Sequence, residues 1–416
     1  MTTANAMTME KRPGGLLHEA HREWATRPRD QRFQSLDDLR THVNERRTRS
    51  RSRIVDLTAL RVDPLPNDDL AIMADGERLN PSNWSFGQFC SSVGAPASYL
   101  RGLPAELAAK NLNHGLTATA ANELKRDRNK LLTLDPVDDD SRPLSVLSST
   151  LQAVTSETYG RIWDADVIAL VDRLVERSEG AFHLPFAYRT DERGFGGLQR
   201  DGTGKLITET AGAYASDHDI FVFMIDGGSV LEVGKHAKGH DHRLNRGFFV
   251  GNSETGAATF WLQTFFFDVT CGNNYVYGAS DVNRLSVRHS KNGPYRFDSE
   301  AWPVLRSYLE KEQGADVAQI LAAKETLLPK EESDLFGMLK KHGLTRGEYS
   351  TGKQYAIREE GECRTVWQLF SGLTASARDL DFIDSRTSLE RRAGYLMKEV
   401  PETSGPVTVP VSGFRN

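Results

Sequence analysis

Cysteine is scarce in this chain: Cys90, Cys271 and Cys363 are the only three in 416 residues. An odd number at wide spacing excludes a disulfide framework and a zinc site built from cysteines alone, and it implies a reducing compartment. Long apolar runs are missing too. No window of about 18 consecutive apolar residues occurs, so no membrane span is expected. Met1 to Gly15 holds no apolar signal-peptide core, which points to the cytoplasm. The phosphate-binding P-loop, HExxH, CxxC and GxSxG are all absent, so no reaction is written into a short motif. Charge of one sign is lacking as well: 52 Lys and Arg stand against 57 Asp and Glu, a net of −5. A uniformly basic nucleic-acid coat is thereby excluded, and any basic surface has to be local. With 38% hydrophobic residues there is material for a core, so a wholly disordered chain is excluded.

The even balance hides an asymmetry. Met1 to Arg53 carries 12 Lys and Arg against 7 Asp and Glu, a net of +5, which leaves about −10 for the rest. Ser35 reads as an N-cap, Asp37 and Asp38 suit the first turn of a helix, and Leu36, Leu39 and Val43 recur at helical spacing. That helix runs into Arg46, Arg47, Arg49, Arg51 and Arg53, a candidate nucleic-acid contact. The alternative is a solvated arm whose cations favour a helix C-terminus.

The remainder reads as α+β: a central, mostly antiparallel sheet with helices packed around it and a helical C-terminal part. Residues 1–53 form a basic, partly helical N-terminal arm, 54–298 the α+β core, 299–400 the helical region and 401–416 a flexible tail. Ile220 to Ile225, Phe248 to Val250, Phe260 to Leu262 and Phe265 to Phe267 are unbroken apolar runs. Such strands belong in a sheet covered on both faces. Trp84 to about Asn122 is helical, with new starts at Pro96 and Pro104, and Asp164 or Asp166 caps a helix through Val175. Gly343 ends another helix.

Polar residues crowd against the most apolar strands. Asp217 and Asp219 precede Ile220, Asn252 and Glu254 follow Val250, and Asp268 ends the triple phenylalanine. Buried charge has to be paired, solvated or functional. With Asp217 and Asp219 on one face of an extended chain, these five could hold a divalent cation or divide acid and base roles. Otherwise they cap turns. Lys235 to Arg243 holds His236, His240 and His242, a spacing that suits a transition metal. The same stretch, with Lys235, Lys238, Arg243 and the following Arg246, suits phosphates. Its place between two strands suggests an exposed hairpin loop. Cys271 reads as a small buried thiol, and the glycines at 194–197 and 202–204 as hairpin turns.

Motif order adds a resemblance. Asn252-Ser253-Glu254-Thr255-Gly256, an apolar strand over Phe260 to Phe267, and Cys271-Gly272-Asn273 resemble the pattern of phage/plasmid-like proteins that carry the domain of unknown function 932. Trp84 to Cys90 with Pro96, Tyr99, Leu100 and Asn111 to Asn113, and then Val154 to Tyr159, look like that family's upstream blocks. Trp367, Gly372 to Ala375, Arg386, Leu389-Glu390 and Ala393-Gly394 look like its C-terminal signature. The resemblance spans roughly residues 70 to 400. It implies an intracellular protein of a phage, plasmid or integrated element, and it implies no established reaction.

Three function classes follow. The first is nucleic-acid handling, with single strands as one candidate ligand, through the arginines, the Lys/His/Arg loop and the aromatics Tyr275 and Tyr277. The second is a non-catalytic module binding a host protein. The third is a metal-assisted phosphoester hydrolase built on the carboxylates.

Overall fold

The computed structural model describes residues 31–33, 35–121, 128–136, 148–184, 213–236, 239, 241–268, 274–275, 284–310, 314–377, 380 and 383–401. Lys238, His240, Cys271, Tyr277 and the glycine clusters at 194–197 and 202–204 lie outside them. The first half runs β1 (Arg32–Phe33), α1 (Leu36–Arg49), β2 (Arg51–Asp56), β3 (Arg61–Pro64), β4 (Leu70–Ala74), β5 (Glu77–Pro81), α2 (Asn83–Ser92), α3 (Ala97–Leu100), α4 (Ala105–Ala121), β6 (Asn129–Pro136), β7 (Ser148–Ser156) and α5 (Asp164–Arg177). Then come β8 (Phe182–His183), β9 (Ala213–Ala215), β10 (Ile220–Lys235), β11 (Asp241–Asn252), β12 (Phe260–Asp268), β13 (Asn274–Tyr275) and β14 (Arg284–Val287). The helices α6 (Gly293–Glu310), α7 (Gly314–Glu325), α8 (Glu332–Lys341), α9 (Arg346–Glu360), α10 (Val366–Ala377) and α11 (Ile383–Gly394) complete the chain.

The fold is α+β, with mostly antiparallel sheets, helices around them and a helical C-terminal part, the class that the apolar runs imply. The strands divide between two sheets. The smaller has the order β2-β6-β7-β5-β4-β3 and is antiparallel except where β5 meets β7. Helices α2 and α4 cover it, and Phe89, Leu112 and Leu116 pack on Leu79, Leu132 and Leu151. The larger sheet follows β1-β9-β10-β11-β12-β13, with β8 on β10 and β14 on β12.

Strand β10 shows why an unbroken apolar run suits this position. Successive side chains point to opposite faces. Ile220, Val222 and Met224 enter the core formed with α1, α5 and α6. Phe221, Phe223 and Ile225 join Phe249, Trp261 and Phe265 on the other face. The far ends of β10 and β11 leave this region: Leu231, Val233 and Leu244 pack among the C-terminal helices around Trp367 and Phe370.

Helix α1 begins as its sequence dictates, with the Ser35 hydroxyl accepting the Asp38 N–H at 3.0 Å. It is not a free arm. Leu39 and Val43 are buried in the large core, and Arg40 grips Asp172 of α5 with two bonds of 2.6 and 2.8 Å. At α5 the expected cap is absent. Trp163 holds the N-cap position without a side-chain bond, while Asp164 and Asp166 sit in the first turn. Helix α8 ends as expected: Gly343 has φ +72°, and Leu344 N–H reaches back to Leu339 O at 2.9 Å.

Candidate functional site

The cap missing from α5 is supplied by another part of the chain. Strand β11 ends at Asn252, and Ser253, Glu254 and Thr255 follow in a turn closed by Gly256 at φ +85°. These residues are almost completely buried. Glu254 Oε1 accepts the Asp164 N–H at 2.6 Å, at the positive end of α5. Its other oxygen takes both Nε (2.8 Å) and a terminal nitrogen of Arg161, whose guanidinium lies 3.7 Å from the centre of the Trp163 ring. Asn252 donates to Asp164 Oδ1 at 2.7 Å and to Ile162 O at 2.9 Å. Burial and the nearby Glu254 carboxylate push the Asp164 carboxyl well above the usual range. Tyr159 donates to the carbonyls of Ser253 and Glu254 and stacks on His289, whose imidazole burial pushes down to about 4. Glu254 is therefore committed to a helix end and an arginine, and a role as general base or cation ligand is not supported by its surroundings.

The same turn joins the two sheets. Thr255 O accepts the Trp84 indole N–H at 3.3 Å and the Gln88 amide at 2.7 Å, both from α2. Gln88 Oε1 in turn accepts the N–H of Val154 in β7. The hydroxyls of Ser253 and Thr255 donate to His218 O at 2.5 and 3.1 Å. His218 belongs to the tight connection between β9 and β10, which is a turn and not the extended segment expected from the Asp-x-Asp spacing. There the Ser216 hydroxyl accepts the N–H groups of His218 and Asp219 and donates to the Asp219 carboxylate. Asp217 Oδ1 lies 2.5 Å from His218 Nδ1, and this bond holds the Asp217 carboxyl below the usual range. Arg46 fastens the turn from α1 by donating to Ser216 O at 2.8 Å and Asp217 O at 2.5 Å.

Between α2, the strands β6 and β7 and this turn lies a groove of about 1030 Å³. Trp84 and His218 form part of its wall with their rings stacked, centroids 5.7 Å apart and planes 14° from parallel. Arg101 and Lys130 bring two cations, Asp217 one carboxylate, and Asn83, Gln88, Ser91, Ser92, Thr155 and Ser156 bring amides and hydroxyls. Arg101 is set by a 2.7 Å bond to Asn83 O and by its place over the Phe86 ring. Tyr99, two residues before it, is 62% exposed.

The residues expected to act together are thus redistributed. Asp217 and Asp219 stay in the turn, and Asn252 and Glu254 stay at the head of α5. Asp268 pairs in register with Leu244, eight residues up β11 from Asn252 and so ~27 Å away along the strand. The arginines are largely spent on carboxylates far away in sequence. Arg46 approaches Asp135 at 3.9 Å, Arg47 pairs with Asp166 at 2.5 Å, and Arg51 and Arg53 flank Glu77 at 3.8 and 3.3 Å. Arg49 is exposed at the end of α1. Lys235 and Arg243 contact Asp241, and the partly buried Arg246 pairs with Asp226 at 2.6 Å. The histidine stretch is not an exposed loop where it is described. His236 and His242 are buried against the C-terminal helices, with His236 Nε2 3.7 Å from Glu360 and His242 Nδ1 2.9 Å from the Lys324 ammonium. An ammonium on Nδ1 occupies the lone pair that a metal would need there. Among the described residues no group of three His, Cys, Asp or Glu is placed to hold a metal ion.

Of the groove residues, sequence reasoning singled out Asp217 as a candidate and missed Trp84, Gln88, Arg101 and Lys130 as parts of one site. Trp84 and Gln88 are four apart and share a helix face, which was a readable signal. Arg101, Lys130 and His218 come from three other segments, and nothing local links them. Among the described residues no helix is long and apolar enough to cross a membrane. Comparison with family models, with curated proteins and with solved structures finds no match.

Proposed function

We propose that the chain binds single-stranded nucleic acid in the groove between the two sheets, as a cytoplasmic accessory protein of a phage, plasmid or integrated element. One observation carries this reading: a stacked Trp84–His218 pair stands in one groove with Arg101, Lys130 and a lining of amides and hydroxyls. Bases stack on aromatic faces whatever their sequence, and cations track the phosphates. Amides and hydroxyls supply further contacts to sugar and phosphate. The exposed Tyr99 beside Arg101 extends the aromatic surface beyond the groove. The setting on a mobile element is supported by the order of motifs over roughly residues 70 to 400 and no more. The hydrolase reading is the weaker one, because Asp217, Asp219, Asn252 and Glu254 are each engaged in other hydrogen bonds and Asp268 is paired far along β11 from Asn252.

The test is fluorescence anisotropy with labelled single- and double-stranded DNA and RNA over a salt series. Single strands should bind in preference to duplex, and log Kd should rise linearly with log salt. Trp84→Ala should weaken binding by ~10- to 100-fold, the loss of one stacking platform. Arg101→Ala should flatten the salt slope by about one phosphate contact. Absence of binding at about 50 mM salt, in protein shown to be folded, would sink the reading.

A further inference from the structure

We propose that Arg46 is a positioning residue of this groove: it stays off the strand and sets the place of residues 216–218, so that the His218 ring meets Trp84. The proposal rests on the groove being a nucleic-acid site. In the sequence, Arg46 stands in a run of arginines that suits phosphates. In the fold its side chain is only 11% exposed, too little to follow a strand through solvent. One terminal nitrogen donates to Ser216 O at 2.8 Å and the other to Asp217 O at 2.5 Å. Nε faces Asp135 of β6 at 3.9 Å.

The contacts behind Arg46 are firm. Leu39 and Val43, on the same helix, are buried in the large core, and Arg40 is bonded twice to Asp172. The guanidinium is a planar fork with fixed donor directions, so it holds two successive carbonyls at one spacing. The walls of the groove belong to different sheets. Trp84 and Gln88 come with α2 from the side of the smaller sheet, and Asp217 and His218 with the turn that leads into β10 of the larger. Arg46 meets both sides. Its terminal nitrogens hold the turn, and Asp135 beside its Nε lies on β6, the strand that carries Lys130 into the groove. A stacking surface made of two rings works only while they stay in contact, and a support slack by about 1 Å loosens it. Lysine at this position keeps the charge but lacks the fork. The wall keeps a second anchorage in such a variant, since Ser253 and Thr255 hold the His218 carbonyl.

Labelled oligodeoxythymidylate and oligouridylate of about a dozen nucleotides are titrated by anisotropy over a salt series. Arg46→Lys and Arg46→Ala should each weaken binding by roughly tenfold for whichever strand binds. The slope of log Kd against log salt should stay at the wild-type value, because no phosphate contact is lost. In a Trp84→Ala background, Arg46→Lys should cost less than about twofold more, since the stack it aligns is already gone. Arg40→Ala, on the same helix but bonded to α5, should bind as wild type does. The lysine variant keeps charge and most of the bulk, and it carries the test should the alanine variant fail to fold. Wild-type affinity in Arg46→Lys, a slope reduced by about 0.7 as for one lost single-strand phosphate contact, an undiminished effect in Trp84→Ala, or an equal loss in Arg40→Ala overturns the proposal and leaves the groove reading standing. Failure of folded wild-type protein to bind either strand at about 50 mM salt overturns the groove reading itself.

Discussion

A buried carboxylic acid is costly to a fold. Asp164 is 1% exposed, and its Oδ2 has no hydrogen-bond partner. Its neighbour Glu254 is already committed to Arg161 and the Asp164 N–H, so a second full negative charge in this buried site has only the Asn252 amide bonded to it. The folded state therefore keeps the Asp164 proton to a pH well above the value near 4 at which the unfolded chain releases it. Its contribution is present at the acid end and is lost as pH rises through the folded value. His289 works in the opposite sense. Its folded value is depressed to about 4, so its contribution is present above about 6.5 and is lost as pH falls towards 4. Asp164→Asn keeps the oxygen that accepts from Asn252 and discards the titration. Urea unfolding at a series of pH values should show the variant gaining on wild type from about pH 4 upward. Parallel curves for the two proteins would mean that Asp164 releases its proton at the same pH in the folded and unfolded chain. This neighbourhood was half legible. The density of polar residues after Val250 marked Asn252 and Glu254 as paired or functional, but their partners Arg161 and Asp164 lie about ninety residues earlier, and no local pattern joins them.

Elements follow the sequence most closely where the governing interaction is local. Ser35 caps α1 three residues away, Gly343 turns the chain after α8, and the two-faced apolar run of β10 finds two cores. The arginines at the end of α1 were misleading because density of charge says nothing of distant partners such as Asp166, Asp135 and Glu77. The C-terminal helices depend on a close approach that composition alone does not reveal. A Cβ on Gly372 would lie 2.1 Å from Gly352 O and 2.7 Å from Ala356 Cβ, so α9 and α10 touch backbone to backbone. Alanine is favoured over glycine in an isolated helix by about 1 kcal/mol. At this crossing the overlap should prevail, and Gly372→Ala should destabilise the protein by about 1–3 kcal/mol, measured by chemical denaturation. Gly337 on α8 has nothing within 4 Å and serves as the control, since alanine there should be neutral or stabilising.

At the scale of the whole molecule, much of the basic charge of the first 53 residues is paired where the chain is described. Its arginines knit α1 and β2 to the rest: Arg40 and Arg47 to α5, Arg46 to the turn before β10, and Arg53 to Glu77 of β5. The two sheets are then joined at Thr255 O, where Trp84 and Gln88 converge. If that junction couples their unfolding, Gln88→Ala should let the smaller sheet open on its own. Native-state hydrogen exchange should show protection falling over 51–56, 129–136 and 148–156, with little change over β10 to β12. An equal loss in both sheets would indicate a single cooperative unit. The groove was invisible in the sequence for the same reason that the junction was, since five segments up to about 135 residues apart make it.

The way the wall of that groove is held has a consequence for how the protein can change over generations. Residues 216–218 are held in large part through main-chain oxygens: Ser216 O and Asp217 O by Arg46, and His218 O by Ser253 and Thr255. Main-chain atoms survive substitution. Positions 217 and 218 can therefore change side chain while the wall keeps its place, so that the lining of the groove varies without putting the fold at risk.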